Sequence, residues 1–150
     1  MAQQEHIYLL KRGAAYWNQW RQEHPQVLLD LSKADLNGID LTSINLSRTD
    51  LSMANLSAAN LRMANLKEAN LTMANLSVAD LRMANLYAAN LHAANLREAD
   101  LQEADLSLAN LKVADLSSAD IRGAILHGTV FDMTILDKTK RRRSVWNLFS

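Results

Sequence analysis

The chain has 150 residues with sixteen basic and sixteen acidic side chains and no cysteine, so disulfides, thiolate metal sites and cysteine nucleophiles are excluded. It is one domain's length, and no run of eighteen apolar residues is present to span a membrane. The zero net charge hides a gradient: residues 29–138 carry nine basic and fourteen acidic side chains, and residues 139–150 carry four basic and none acidic.

The first 28 residues read as a lead-in. Ile7, Leu10, Ala14 and Trp17 follow helical spacing, Tyr16 and Trp20 widen the stripe, and Gln4, Glu5, Lys11, Arg12, Gln19 and Arg21 fall on other faces. The spacing predicts one amphipathic helix over 4–23, stopped by Pro25, whose tryptophan-bearing face packs over the start of the body of the chain. The opening MAQQEHIYLLKRG has neither the basic leader nor the apolar stretch of a secretory signal, which points to a cytoplasmic location.

From Leu31 to Leu116 a leucine recurs at every fifth position, eighteen times without a miss. Ile121, Leu126, Phe131 and Leu136 continue the register to twenty-two central positions. Five residues is not a helix period, because five steps of about 100° scatter side chains around the barrel. It is not a strand period either, since positions five apart fall on opposite faces. The leucines share one interior only if the backbone bends once per pentad in a constant sense, which is a solenoid. Two residues before the central position sits chiefly Ala, with Ile39, Ile44 and Thr49 early and Thr129 and Thr134 late, and one residue before it sits Asp or Asn from Asp30 to Asp120. Central and small positions point inward; the Asp/Asn column and the two free positions after each leucine point outward. A Leu/Ala interior of this kind has room for side chains and none for a ligand.

Runs such as ANLRM ANLKE ANLTM ANLSV ADLRM ANLYA closely resemble the A(D/N)LXX motif of the pentapeptide-repeat family. The resemblance covers about residues 29–138. It implies a right-handed quadrilateral β-helix, with four pentads to a coil and about five and a half coils in a rod roughly 26 Å long at ordinary strand spacing. Second free positions taken every twenty residues, Lys33, Met53, Met73, Ala93, Val113 and Met133, form an apolar ladder after the first, which favours four sides over three. The segment LLKRGAAYWNQWRQEHP is similar to N-terminal helices of cyanobacterial members.

After Asp120 the Asp/Asn column turns into Ile125, Val130 and Ile135. Residues 139–150 supply a basic run and then Val145, Trp146, Leu148 and Phe149. Two readings stand: a short C-terminal cap made by the tail, or a homodimer contact through the C-terminal end. The basic run reads as a solvated linker, and a nucleic-acid partner is disfavoured by the acidic body.

Chemistry-bearing patterns are sparse. Stacked Asp and Asn recur in nearly every pentad, which marks turn formation by side-chain-to-backbone bonds rather than a unique active site. His6, His24, His92 and His127 do not converge as a zinc site needs, and no phosphate loop or nucleophile triad is present. The serines of the first free position read as exposed filler. No catalytic residue, metal or cofactor is assigned, and an enzyme is not expected. Two outward features are candidate interaction surfaces: Arg62, Arg82 and Arg122 in one column, and Met53 with Met73 opposite Met63 with Met83. The residues therefore point to a non-enzymatic scaffold that binds another protein through the faces or ends of the solenoid, as a monomer or as a homodimer through the C-terminal end. The resemblance implies an alternative, a DNA mimic that binds gyrase or topoisomerase IV, as in the family's quinolone-resistance branch.

Overall fold

A computed structural model describes residues 4–141. Two short helices, α1 (Gln4–Lys11) and α2 (Ala14–Glu23), precede a succession of single-residue parallel bridges that runs from Asp30↔Asp50 to Asp120↔Lys140. Every bridge joins residues twenty apart, so four pentads complete one turn of the solenoid. Three backbone bonds tie each pentad to its neighbours along the axis. Leu81 N–H donates to the Asp100 carbonyl (2.7 Å), Met83 N–H to Gln102 (3.0 Å), and Asp80 N–H back to Ala59 (3.0 Å). The same triplet recurs along the repeat, and this is where the backbone polar groups of a strand-poor chain find partners.

The bend itself lies in the two free positions. Ala84 N–H donates to the Leu81 carbonyl (3.1 Å), closing a four-residue turn whose third residue, Met83, has φ of 59°. Positive φ at that place is the mark of a type II turn. All second free positions from Lys33 to Lys138 adopt it, nineteen of them non-glycine. Valines take it too: Val78 at 59° and Val113 at 63°, although a branched side chain is strained there. The strain is tolerated because the N–H of each such residue is tied to the next coil, at 2.9 Å for both valines.

The interior is filled as the columns predict. Leu51 through Leu116 in the central column are fully buried, and Ala54 through Ala119 are at most 1% exposed. Burial of this kind contributes about 1.5–3 kcal/mol per leucine. Where threonine replaces alanine near the end of the repeat, its hydroxyl finds a carbonyl 23 residues back: Thr129 on Leu106, Thr134 on Leu111 and Thr139 on Leu116, at 2.7–2.8 Å. Thr49 has the same column position, but 23 residues back from it is Gln26, ahead of the first pentad. Its hydroxyl is buried with no partner among the described residues. Thr49→Ala is therefore expected to raise unfolding free energy by about 1 kcal/mol, whereas Thr134→Ala lowers it by a similar amount. Urea denaturation of the two variants checks the opposite signs.

The lead-in departs from the single helix expected over 4–23. Gly13, at φ 93°, breaks it into two. Glycine reaches that φ without steric cost, so the chain turns there and both helices reach the solenoid. His6, Leu9, Leu10 and Trp17 are buried, while Ile7, Ala14, Tyr16 and Trp20 pack partly against the core. Trp17 Nε1–H donates to the Asn45 carbonyl (2.7 Å), and Asn45 N–H donates to the Asn18 side chain (2.7 Å). An Arg21 guanidinium nitrogen donates to the Ser47 carbonyl (2.9 Å), and His6 Nδ1 sits 3.3 Å from the Asp30 N–H. In inner coils these groups bond to the coil before, so the helices supply what the first coil lacks on the sides of Asp30 and Asn45.

At the far end Ile125, Val130 and Ile135 are about half exposed. The tail residues Val145, Trp146, Leu148 and Phe149 lie outside the described residues.

Candidate functional site

The Asp/Asn column is used up by the fold. One side-chain oxygen of each accepts the N–H two residues on, as in Ser52 N–H to Asp50 Oδ1 (2.9 Å) and Tyr87 N–H to Asn85 Oδ1 (3.0 Å). Asparagine amides then bond along the axis, Asn70 to Asp50 and Asn95 to Asn75 at 3.0 Å. This is the turn-forming role that recurrence in every pentad implies. The serines of the first free position are a correction. They are not exposed filler: Ser32, Ser107 and Ser117 are buried, and Ser47 and Ser57 donate their hydroxyls to Asn45 and Asn55 at 2.7 Å. The first free position lies against the Asp/Asn column, so its small hydroxyl residues complete the turn. Longer first-position side chains such as Arg62, Lys67 and Arg97 are exposed, as are most residues of the second free position.

Arg62, Arg82 and Arg122 do share one side of the solenoid, but they are not equivalent. Arg82 grips Asp80 with two nitrogens, Nε to Oδ1 at 2.8 Å and a terminal nitrogen to Oδ2, and also lies 3.7 Å from Asp100. Arg122 holds Asp120 in the same manner, at 2.9 and 2.6 Å. Gln102 donates to Asp100 (3.1 Å). The stacked aspartates 80, 100 and 120 would repel one another along the ladder, and the interleaved arginines remove that repulsion. Arg62 differs because the residue before its leucine is Asn60. Its backbone N–H meets Asn60 Oδ1 (3.2 Å), and its guanidinium makes no ion pair among the described residues. With Arg82, Met83, Gln102 and Glu103 it lines an open depression of about 230 Å³.

The paired arginines hold the Asp80 and Asp120 carboxyls below the usual carboxylate range, chiefly by side-chain hydrogen bonds. A depressed folded-state pKa stabilises the fold above the unfolded value near 4, and that contribution is lost as pH falls through the folded value. The melting temperature is therefore expected to be flat from pH 7 to 5 and to fall below about pH 4. In Arg82→Ser the acid-side fall is shallower, while the neutral-pH melting temperature changes little because the pair is solvent-accessible. Thermal melts across pH in dilute buffer check both.

The methionines occupy the second free position on opposite sides: Met53 and Met73 on one, Met63 and Met83 on the other, each 47–57% exposed. Val113 and the more exposed Met133 extend the first ladder. Three further exterior pairs join neighbouring coils, Arg48 with Glu68 (2.8 Å), Lys112 with Asp132 (2.8 Å) and Arg97 with Asp115 (3.1 Å). The sides therefore carry alternating charges and apolar ridges rather than a field of one sign.

The family profile described as Pentapeptide repeats matches residues 29–62, 59–97 and 89–128, with eight copies of the repeat. Among solved structures, a pentapeptide repeat protein (Rfr23) from the cyanobacterium Cyanothece 51142 is 28% identical, with a TM-score of 0.65 over 84% of this chain and 94% of that one. HetL from Nostoc sp. strain PCC 7120, a pentapeptide repeat protein involved in heterocyst differentiation regulation, is 32% identical. It aligns over 74% of this chain and 63% of that one, with a TM-score of 0.47. QnrB1, a plasmid-mediated fluoroquinolone resistance protein, is 20% identical with a TM-score of 0.37, over 79% of this chain and 80% of that one. No curated protein sequence matches the chain.

Proposed function

The chain belongs to the pentapeptide-repeat family, whose fold is a right-handed quadrilateral β-helix, and from that premise we propose that it is an interaction scaffold that binds another protein through its sides. In this reading residues 29–138 form a cytoplasmic rod of about five and a half coils. Residues 1–28 close one end, and residues 139–150 are a basic stretch followed by an aromatic tail in sequence. Proteins of this family are generally non-enzymatic scaffolds, and no helix among the described residues is long and apolar enough to cross a membrane.

The filled interior carries the proposal. Central and small columns are packed with buried leucine and alanine, so the chain's chemical variety lies in the two free outward positions of each pentad. A solenoid of this kind offers surface rather than a pocket. Within that surface the methionine ladders and Arg62 are the better contact groups. Arg82 and Arg122 are already bonded to carboxylates, and a partner would have to compete for them. Flexible, polarisable methionine adapts to a partner's shape.

Affinity capture from the native host with the intact protein tests the reading. Changing Met53 and Met73 to Ser, or Met63 and Met83 to Ser, is expected to lose the specific partner, while Arg82→Ser with Arg122→Ser retains it. Capture that survives both methionine pairs would overturn the methionine assignment. A gyrase supercoiling assay bears on DNA mimicry: the paired, alternating charges predict no inhibition at micromolar protein.

A further inference from the structure

The two lead-in helices seal the interior without finishing the rim. In an inner coil each side joins three backbone groups to the coil before. Asn60 N–H donates to the Ile39 carbonyl (2.9 Å), and the Asn60 and Arg62 carbonyls accept from Leu41 (2.8 Å) and Ser43 (2.9 Å). In the first coil the helices stand in for that coil at Asp30, Asn45 and Ser47. On the other two sides nothing does. The N–H and carbonyl of Asp35 and of Asp40, and the carbonyls of Asn37 and Thr42, have no partner among the described residues. Asp35 and Asp40 are exposed, whereas Asn55, Asn60, Asn75 and Asp80 in the coils behind them are half-buried. Neither carboxylate has an ion pair among the described residues. Gly38, at the corner between these sides, has open space where a side chain would stand.

We propose that this half of the rim receives an extended, basic segment of a partner protein, a contact separate from the methionine sides. An unpaired edge of parallel bridges is a template for one more strand. The open groups are two donors and four acceptors, so the incoming backbone contributes mostly N–H groups. Following the pattern of the inner coils, five residues cover one side, and twice that length, bent once over Gly38, covers both. Charge selects the occupant. Lysine or arginine side chains of the segment meet Asp35 and Asp40, just as Arg21 caps the equivalent Ser47 carbonyl (2.9 Å) on a covered side. A second copy entering by the same end would set its own Asp35 and Asp40 against these two, and like charges oppose that pairing.

Fluorescence anisotropy with the intact chain and two labelled decapeptides, KARTVKARTV and EAETVEAETV, tests the surface. The basic peptide is expected to bind at least about tenfold more tightly than the acidic one, and to weaken as salt rises. Asp35→Asn with Asp40→Asn is expected to weaken it at least about fivefold. The melting temperature stays unchanged, because asparagine forms the same turn elsewhere in the column. Glu98→Gln with Glu103→Gln, which removes as much exposed charge from the sides, is expected to leave binding unchanged. Amide hydrogen exchange locates the contact. The Asp35 and Asp40 amides are expected to exchange without protection in the unbound protein and to slow at least about tenfold with the basic peptide, while Asp80 does not change. No binding of the basic peptide by about 1 mM would overturn the proposal. So would binding that survives Asp35→Asn with Asp40→Asn, or binding without protection of those two amides. Amides already protected in the unbound protein would overturn it too, and a dimer mass at the same concentration would make a second copy the occupant.

Discussion

Leu81→Asp is expected to abolish cooperative folding at neutral pH, or to lower stability by at least about 4 kcal/mol if a folded form survives. Leu81 is fully buried in the middle of the central column, between Leu61 and Leu101 in the coils on either side. No polar side chain reaches that column, so a carboxylate there has neither a counter-charge nor a hydrogen-bond donor. In a globular core the surroundings sometimes open a path to water. In a solenoid the disturbed layer must separate two halves that each depend on stacking against the next. Far-UV circular dichroism with a urea titration measures the loss. Leu81→Met, which conserves volume, is expected to cost less than about 1.5 kcal/mol. Arg82→Ser, one residue away and outside the core, is expected to leave the neutral-pH melting temperature nearly unchanged. A Leu81→Asp variant as stable as the parent would mean that the central column does not face a dry interior.

The contrast between residues 81 and 82 also shows what was readable in the chain. A column is legible when the same physical demand recurs at a fixed interval, because repetition makes the demand visible against a variable background. The buried leucines and alanines, the outward Asp/Asn turns and the twenty-residue register all repeat, and the methionine ladder of Met53, Met73 and Val113 reflects that register. The positive φ of the second free position also repeats, yet it leaves almost no trace in residue type. Met, Glu, Ala and Val fill it as readily as Gly38, Gly123 or Gly128, because inter-coil hydrogen bonds impose the conformation on whatever residue is present. The buried serines were hidden for a related reason: a side chain at an outward position gains cover from its own pentad, which periodicity alone does not reveal. The state of the arginines was harder still. Arg62, Arg82 and Arg122 are one column in sequence, but Asn60 stands where Asp80 and Asp120 stand for the other two, and that single amide leaves Arg62 without the ion pair they form. Gly13 was legible as a breaker in principle, but the apolar spacing on either side of it imitates one continuous stripe.

Trp17→Ala is expected to cost about 3–5 kcal/mol, which ranks it with the central leucines although it lies outside the repeat. Its side chain is fully buried, sits 6.1 Å from the Trp20 ring and donates to the Asn45 carbonyl (2.7 Å). Two contributions can be separated by size. Trp17→Phe keeps most of the apolar volume and removes the donor, so it is expected to cost about 1–2 kcal/mol, with the remainder of the alanine penalty due to lost packing. A second effect distinguishes a helix that seals the solenoid from one that merely adheres to it. Asn45 and Ser47 carry backbone groups that inner coils pair with the coil before, and Trp17, Asn18 and Arg21 now occupy them. Loosening the helix frees an edge able to pair with another chain, which invites association. Trp17→Ala should therefore elute as a concentration-dependent mixture of monomer and larger species, while Trp17→Phe elutes as the parent does. Equal stability losses in the two variants would place all of the tryptophan's contribution in one hydrogen bond. A destabilised but strictly monomeric Trp17→Ala would show that the first coil needs no cover to remain solitary.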